Sequence, residues 1–137
     1  MSNEYYKLFE TDPEFMGRHE AFALDEVVNE PGQTLDDETR YMAILATLIG
    51  CQGVDLYKVI LSQALDDALT PVMAKEIVYQ AVDYLGMGRV YPFLIATNEV
   101  MAEKGITLPL EGQATTTMEN RLEKGADVQV AIFGEAM

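Results

Sequence analysis

The chain has no tryptophan, one cysteine and one histidine. A lone Cys51 cannot close an internal disulfide, so nothing points to an oxidising compartment and the cytoplasm is the expected location. A single His19 leaves no imidazole for a histidine-based metal cluster or for a second catalytic triad. Basic residues are few, 9 against 23 acidic ones, for a net charge of −14. They are scattered singly from Lys7 to Lys124, and no cluster overrides the repulsion from nucleic acid or anionic lipid. No apolar run approaches the roughly 18 residues of a membrane span. The N-terminal stretch MSNEYYKLFETDPEF is acidic and aromatic, unlike a signal or transit peptide. Neither nucleic acid nor membrane is an expected partner, and no cofactor or metal is expected. Convincing alternation at period two is also missing, which leaves an all-α fold.

What is present suits that fold. A chain of 137 residues forms one domain that buries roughly 68% of its unfolded surface. The clearest helix is Thr70 to Gly88. Thr70 caps it, Pro71 takes the first helical position and Gly86 and Gly88 close it. Val72, Met73, Ile77, Val78, Ala81, Val82 and Leu85 leave it little polar surface, as in a central helix.

The rest of the chain divides around that helix. Residues 1–34 are N-terminal helices, with a short aromatic lead-in of about one turn over residues 1–11. Asp12-Pro13 then opens a helix to about Asn29, with Phe15, Phe22, Leu24, Val27 and Val28 as its apolar set and Gly17 as a weak point. Residues 35–104 form the core. There Asp36 or Asp37 caps a helix carrying Met42, Ile44, Leu45, Leu48 and Ile49, which Gly50 and Gly53 break around Cys51. Val54 to Leu69 follows, with Leu56, Val59, Ile60, Ala64, Leu65 and Ala68 apolar. A helix from Arg89 to Lys104 keeps Pro92 in its first turn. Residues 105–117 are a loop, and residues 118–137 hold a C-terminal helix capped by Thr117. Its candidate contacts are Leu122, Val128, Ile132 and Phe133, on a stripe that suits another subunit or an outer face better than the chain's own core.

Taken in order, these landmarks resemble the carboxymuconolactone decarboxylase family, which includes the alkylhydroperoxidase D-like proteins. LDDETRYMAILATLIG is similar to the family's Leu-Asp-x-x-x-Arg helix. DLYKVILSQALDDALTPVMAKEIVYQAVDYLGMGRVYPFLIATNEV is similar to its helix hairpin, with Ala-Leu, Glu-Ile and Gln-x-x-x-Tyr-x-Gly in sequence. TTTMENRLEKGADVQVAIFGEAM resembles the segment that links the repeats of double-length members, so the chain looks like a first repeat. The resemblance implies a bundle of about six or seven helices built around an antiparallel hairpin. It also implies a trimer or hexamer of the chain, or pairing with a second-repeat partner subunit.

The family's chemistry is where the chain departs. Its peroxidases carry Cys-x-x-Cys-x-x-x-His, whose thiolates attack and resolve. Those positions fall on Gly53, Leu56 and Ile60, and Cys51 lies two positions early without a resolving partner. The glutamate of its proton-transfer members falls on Tyr41, a poor base at neutral pH but a hydrogen-bond donor. The resemblance therefore implies a subunit or small-molecule binder lacking the catalytic Cys/His/Glu set. The alternative is a lyase or isomerase on a small carboxylated lactone, using Tyr41, Tyr84 or Arg89, with Arg89 clamping the carboxylate. A partner subunit could complete such a site.

A pocket for an apolar or carboxylated ligand would be lined by Tyr41, Leu45, Cys51, Leu56, Tyr57, Ile60, Gln80 and Tyr84. For several of these a structural role is the simpler expectation. Gln80 and Tyr84 share a helix face and read as a satisfied buried network. Cys51 reads as a buried helix-end residue, and His19 as a surface or packing histidine. Met42, Met73, Met87, Tyr41 and Tyr57 read as core.

Overall fold

The computed structural model describes residues 3–134, and all regular structure among them is helical. None of these helices is long and apolar enough to cross a membrane. The N-terminal arm begins with α1 (Asn3–Thr11), longer than the single turn expected from the sequence. Next come α2 (Pro13–Glu20), a π-helical stretch Ala21–Glu26 and the short α3 (Val27–Asn29). The chain is thus helical from Pro13 to Asn29, with Gly17 accommodated inside α2.

The expected apolar face of this run is not buried. Phe15 is 69% exposed and Phe22 60%, and the residue that packs inward is Met16, at 3%. The π-helical stretch widens the turn, so a stripe counted at 3.6 residues per turn loses its register beyond Ala21, whereas Phe15 precedes it and is exposed because no other element covers it.

The body consists of α4 (Asp37–Gly50), α5 (Val54–Asp67), α6 (Pro71–Leu85) and α7 (Met87–Glu103). Their ends follow local chemistry. The Asp36 carboxylate accepts the Thr39 N–H at 2.7 Å, and Thr70 Oγ1 accepts the Met73 N–H at 3.2 Å. The stop after α4 falls elsewhere than expected. Neither Gly50 nor Gly53 is left-handed; Gln52 is, at φ 63°. Gly53 N–H bonds to Leu48 O at 2.8 Å and Gln52 N–H to Ile49 O at 3.2 Å, a complete Schellman closure. Between α6 and α7 stands Gly86 alone, at φ 78°. Gly88 therefore lies inside α7 instead of closing α6. Pro92 is the sixth residue of α7, beyond the first turn in which it was expected, and both it and Gly88, whose carbonyl it leaves without a helical donor, are exposed.

Around the body the order is α4, α5, α7, α6: α4 packs on α5 and α6, and α7 packs on the same two. The tightest hairpins are α4/α5 and α6/α7, while α5 and α6 meet only slightly. Inside lie Leu45, Ile49, Tyr57, Leu61, Val78, Phe93 and Met101, each at most 1% exposed. Leu48, Leu69, Val90 and Val100 and the small Ala64, Ala74 and Ala96 complete the buried cluster around them.

After α7 the chain is extended. Ile106, Leu108 and Leu110 are half-buried while the residues between them are exposed, and Ile106 and Leu108 rest on the core. The expected Thr117 cap is not formed, since the last helix begins only at Arg121 with Asn120 as its N-cap. Thr117 instead closes the turn before it, the Thr117 N–H bonding to Asn120 Oδ1 at 2.7 Å and the Asn120 N–H to Thr117 Oγ1 at 3.4 Å. The last helix is α8 (Arg121–Phe133), of which no residue is buried. Leu122 is 84% exposed, and Ile132 and Phe133 are each 67%. Residues 135–137 of the expected C-terminal helix lie outside the described residues.

Candidate functional site

Because α1 and α2 pack chiefly on each other, the arm leaves a groove between itself and the α4/α5 face. Two adjoining cavities occupy it, of about 500 Å³ and 490 Å³, sharing Tyr5, His19, Leu56 and Val59. Met16 anchors the arm from one side. Leu56, Ile60 and Leu48 form the opposite wall. Tyr5 stands edge-on to Tyr6 at 5.6 Å and to Phe9 at 6.2 Å between ring centroids. Burial, with the negative charge of Glu20, holds the Tyr5 phenol above its ordinary pKa, so it is a neutral donor at physiological pH.

His19 is held by stacking on Phe15 one turn earlier, with the rings 6.1 Å apart and 6° from parallel. The groove is thus mostly apolar and aromatic, with one imidazole, the phenols of Tyr5 and Tyr6, and the rim groups Glu20, Asp55 and Gln63. Such a lining suits a small apolar or aromatic molecule with a few polar groups. The π-helical stretch that carries Ala23 and Leu24 into the groove is of a kind frequent at functional sites.

Of the residues singled out from sequence, Leu56 and Ile60 line this groove. Gln80 and Tyr84 line another, of about 410 Å³, together with Met42 between α4 and α6. They do not form the buried network expected of them: Tyr84 is 88% exposed, and Gln80 reaches only Glu76, at 3.5 Å. Both sit on the outer side of α6, because Ala74, Lys75 and Val78 take the inner one.

Tyr41 belongs to neither groove. Its hydroxyl donates to Asp67 Oδ2 at 2.6 Å, tying the start of α4 to the end of α5. Desolvation and the Asp67 carboxylate push its pKa well above the phenol range, which keeps the proton on and removes it as a base. Tyr57 and Leu45 are fully buried in the core. Burial pushes the Tyr57 phenol up to about 12. Cys51 is exposed, not buried, because the Schellman closure turns the helix end outward; its Sγ lies 3.6 Å from Leu48 O. Arg89 is exposed in the first turn of α7. Among the described residues no three metal-ligating side chains converge.

Sequence reasoning missed Tyr5, Met16 and the placement of His19. One signal was present: Phe15, His19 and Phe22 fall at i, i+4 and i+7, so the imidazole shares the aromatic stripe.

Compared with family models, curated proteins and solved structures, the chain matches none.

Proposed function

We propose that this chain is an oligomeric helical subunit of the carboxymuconolactone decarboxylase-like kind. In this reading it binds a small apolar or aromatic molecule beneath its N-terminal arm. The observation that carries the reading is the amount of surface left open. A compact monomer of 15.2 kDa exposes about 7,100 Å² by the usual scaling with mass, against 9,716 Å² for this chain. The excess, about 2,600 Å², is the size of a permanent subunit interface. Much of it is apolar side chain on two elements that cover little of the core: Phe15, Phe22 and Leu24 on the arm, and Leu122, Ile132 and Phe133 on α8. Water contact at that many large apolar groups is relieved when neighbouring copies cover them. A cytoplasmic setting, where the exposed Cys51 stays reduced, belongs to the same reading.

Sedimentation of the full chain at micromolar concentration tests it, and a trimer or hexamer is expected. A monomer at that concentration rejects the oligomer. Binding under the arm is read separately, from the fluorescence of anilinonaphthalene sulfonate in wild type and in Leu56→Glu. Equal signals in the two would remove the groove as the site.

A second reading rests on His19. The one imidazole of the chain faces the groove wall formed by Leu56 and Ile60, the positions where the family resemblance puts a cysteine and the histidine. There it could serve a lyase or isomerase acting on a small carboxylated lactone, alone or with groups from a second-repeat subunit. Turnover of such a lactone that is lost in His19→Gln and kept in Tyr41→Phe supports this reading; turnover kept in both removes it.

A further inference from the structure

Lys75 is unusual in so acidic a chain. It sits on α6 with 7% of its surface exposed, the one charged side chain among the buried described residues. Lys58 and Lys104 pair with carboxylates, Glu99 at 2.5 Å and Asp66 at 2.6 Å. Among the described residues Lys75 makes no ion pair. Its Nζ instead donates a hydrogen bond to Asn98 Oδ1 on α7 and lies 5.8 Å from the centroid of the Tyr79 ring. A neutral amide stabilises an ammonium less than a carboxylate does. Burial accordingly holds the Lys75 pKa below the ordinary lysine value. A larger share of this amine than of its exposed counterparts is in the nucleophilic form.

The residue borders a cleft of about 410 Å³ between α6 and the segment Leu108–Gln113. That segment has no regular structure, yet its approach is fixed, because Ile106 and Leu108 rest on the core. Val72, Tyr79 and Leu110 make the cleft walls largely apolar, and Glu76 and Glu111 add negative charge. The carboxylates repel an anionic ligand and leave a neutral one unaffected. A buried amine with no carboxylate partner, at the side of such a cleft, meets the requirements of carbonyl chemistry.

We propose that Lys75 and this cleft form a capture site for a small neutral aldehyde, held as an imine on Nζ. The nitrogen lone pair attacks the carbonyl carbon to give a carbinolamine, which then loses water. The C=N bond forms, the C=O bond breaks, and the oxygen departs with both amine hydrogens. No oxidant or reductant enters. The site is separate from the groove beneath the arm and stands or falls without it.

The test uses the full chain with benzaldehyde and sodium cyanoborohydride near neutral pH, followed by peptide mass mapping. Lys75 is expected to gain the benzyl group about tenfold faster than Lys58 or Lys104, because burial in the cleft keeps more of its amine neutral. Labelling of Lys75 that is absent, or no faster than at those two, overturns the proposal. In Asn98→Asp a carboxylate would hold the ammonium charged, so labelling of Lys75 should slow about tenfold while Lys58 is unchanged. An unchanged rate at Lys75 also overturns it. The wild-type pattern decides the matter whether or not that variant folds.

Discussion

The Tyr57 hydroxyl donates a hydrogen bond to Thr97 Oγ1 at 2.7 Å, joining α5 to α7 inside the core. The donor follows from the next link, since the single Thr97 hydroxyl hydrogen is used on the Phe93 carbonyl at 2.7 Å. The Tyr57 ring also stands edge-on against Phe93, with centroids 5.1 Å apart at 88°. The two ends of this bond are therefore unequal. Tyr57→Phe keeps the ring contact and leaves Thr97 its bond to Phe93, so it should cost about 1 kcal/mol. Thr97→Val strands a buried phenol hydroxyl and should cost about 2–3 kcal/mol. Urea unfolding of both variants checks the order, and equal losses would contradict it.

Stability should fall in alkali. Tyr57 titrates near 12 in the fold against about 10 in the unfolded chain, so between those values the folded state keeps a proton that the unfolded state has released. The stabilisation is complete below about pH 10 and is lost as pH rises through the folded value, for a total of about 2–3 kcal/mol. Tyr41 acts in the same direction, through burial and Asp67. Urea midpoints followed from pH 8 to about pH 11 should decline, and more gently in Tyr57→Phe. A flat profile in wild type would contradict the burial of both phenols.

The two Schellman closures make a matched pair. Gln52 and Gly105 occupy equivalent left-handed positions, at φ 63° and 72°. At the second, Ile106 N–H bonds to Met101 O at 2.9 Å and Gly105 N–H to Ala102 O at 3.0 Å. Gly105→Ala adds a Cβ that meets no atom within 4 Å, so its cost is backbone strain alone, about 1 kcal/mol. Gln52→Gly relieves the same strain but gives up the bond from Gln52 Nε2 to Ile49 O at 2.7 Å. Its effect should lie within about 0.5 kcal/mol of zero. Thermal or urea denaturation distinguishes the two, and a loss at Gln52→Gly as large as that at Gly105→Ala would refute the comparison.

If α8 is covered by a neighbouring copy, its apolar end carries part of the assembly energy. Ile132→Glu with Phe133→Ser should weaken association by at least about tenfold, by removal of two buried apolar groups. Helix content should be unaffected at matched concentration, since α8 buries nothing in its own chain. Sedimentation and far-ultraviolet dichroism read the two effects separately. An unchanged association constant would place the interface elsewhere.

Much of the helical framework was legible from residues alone. The caps at Asp36 and Thr70, the proline at the head of α6 and the stripe Leu45, Leu48 and Ile49 depend on neighbours within four positions, and they appear where the spacing put them. Other features are local but ambiguous. Gly50 and Gly53 fit a helix stop as well as Gln52, where the left-handed turn falls and whose side chain bonds back to Ile49, and Pro92 suits a first turn only if α7 begins later than Met87.

The site was barely legible, for a physical reason. Whether an apolar residue is core or surface depends on what another element brings opposite it. Phe15 and Phe22 are exposed because no element covers them, and Lys75 is buried because α7 and the segment after it close over α6. The pairings that spacing could not show join separate helices: His19 lines one cavity with Leu56 and Ile60, Tyr41 bonds to Asp67, and Lys75 bonds to Asn98. Periodicity settles which residues share a helix face, and the packing of the helices decides which faces enclose a cavity. The sequence by itself determined an acidic, all-helical chain and where most of its helices begin and end. Only the tertiary structure decided which polar groups are shielded from water, and so which of them are chemically altered.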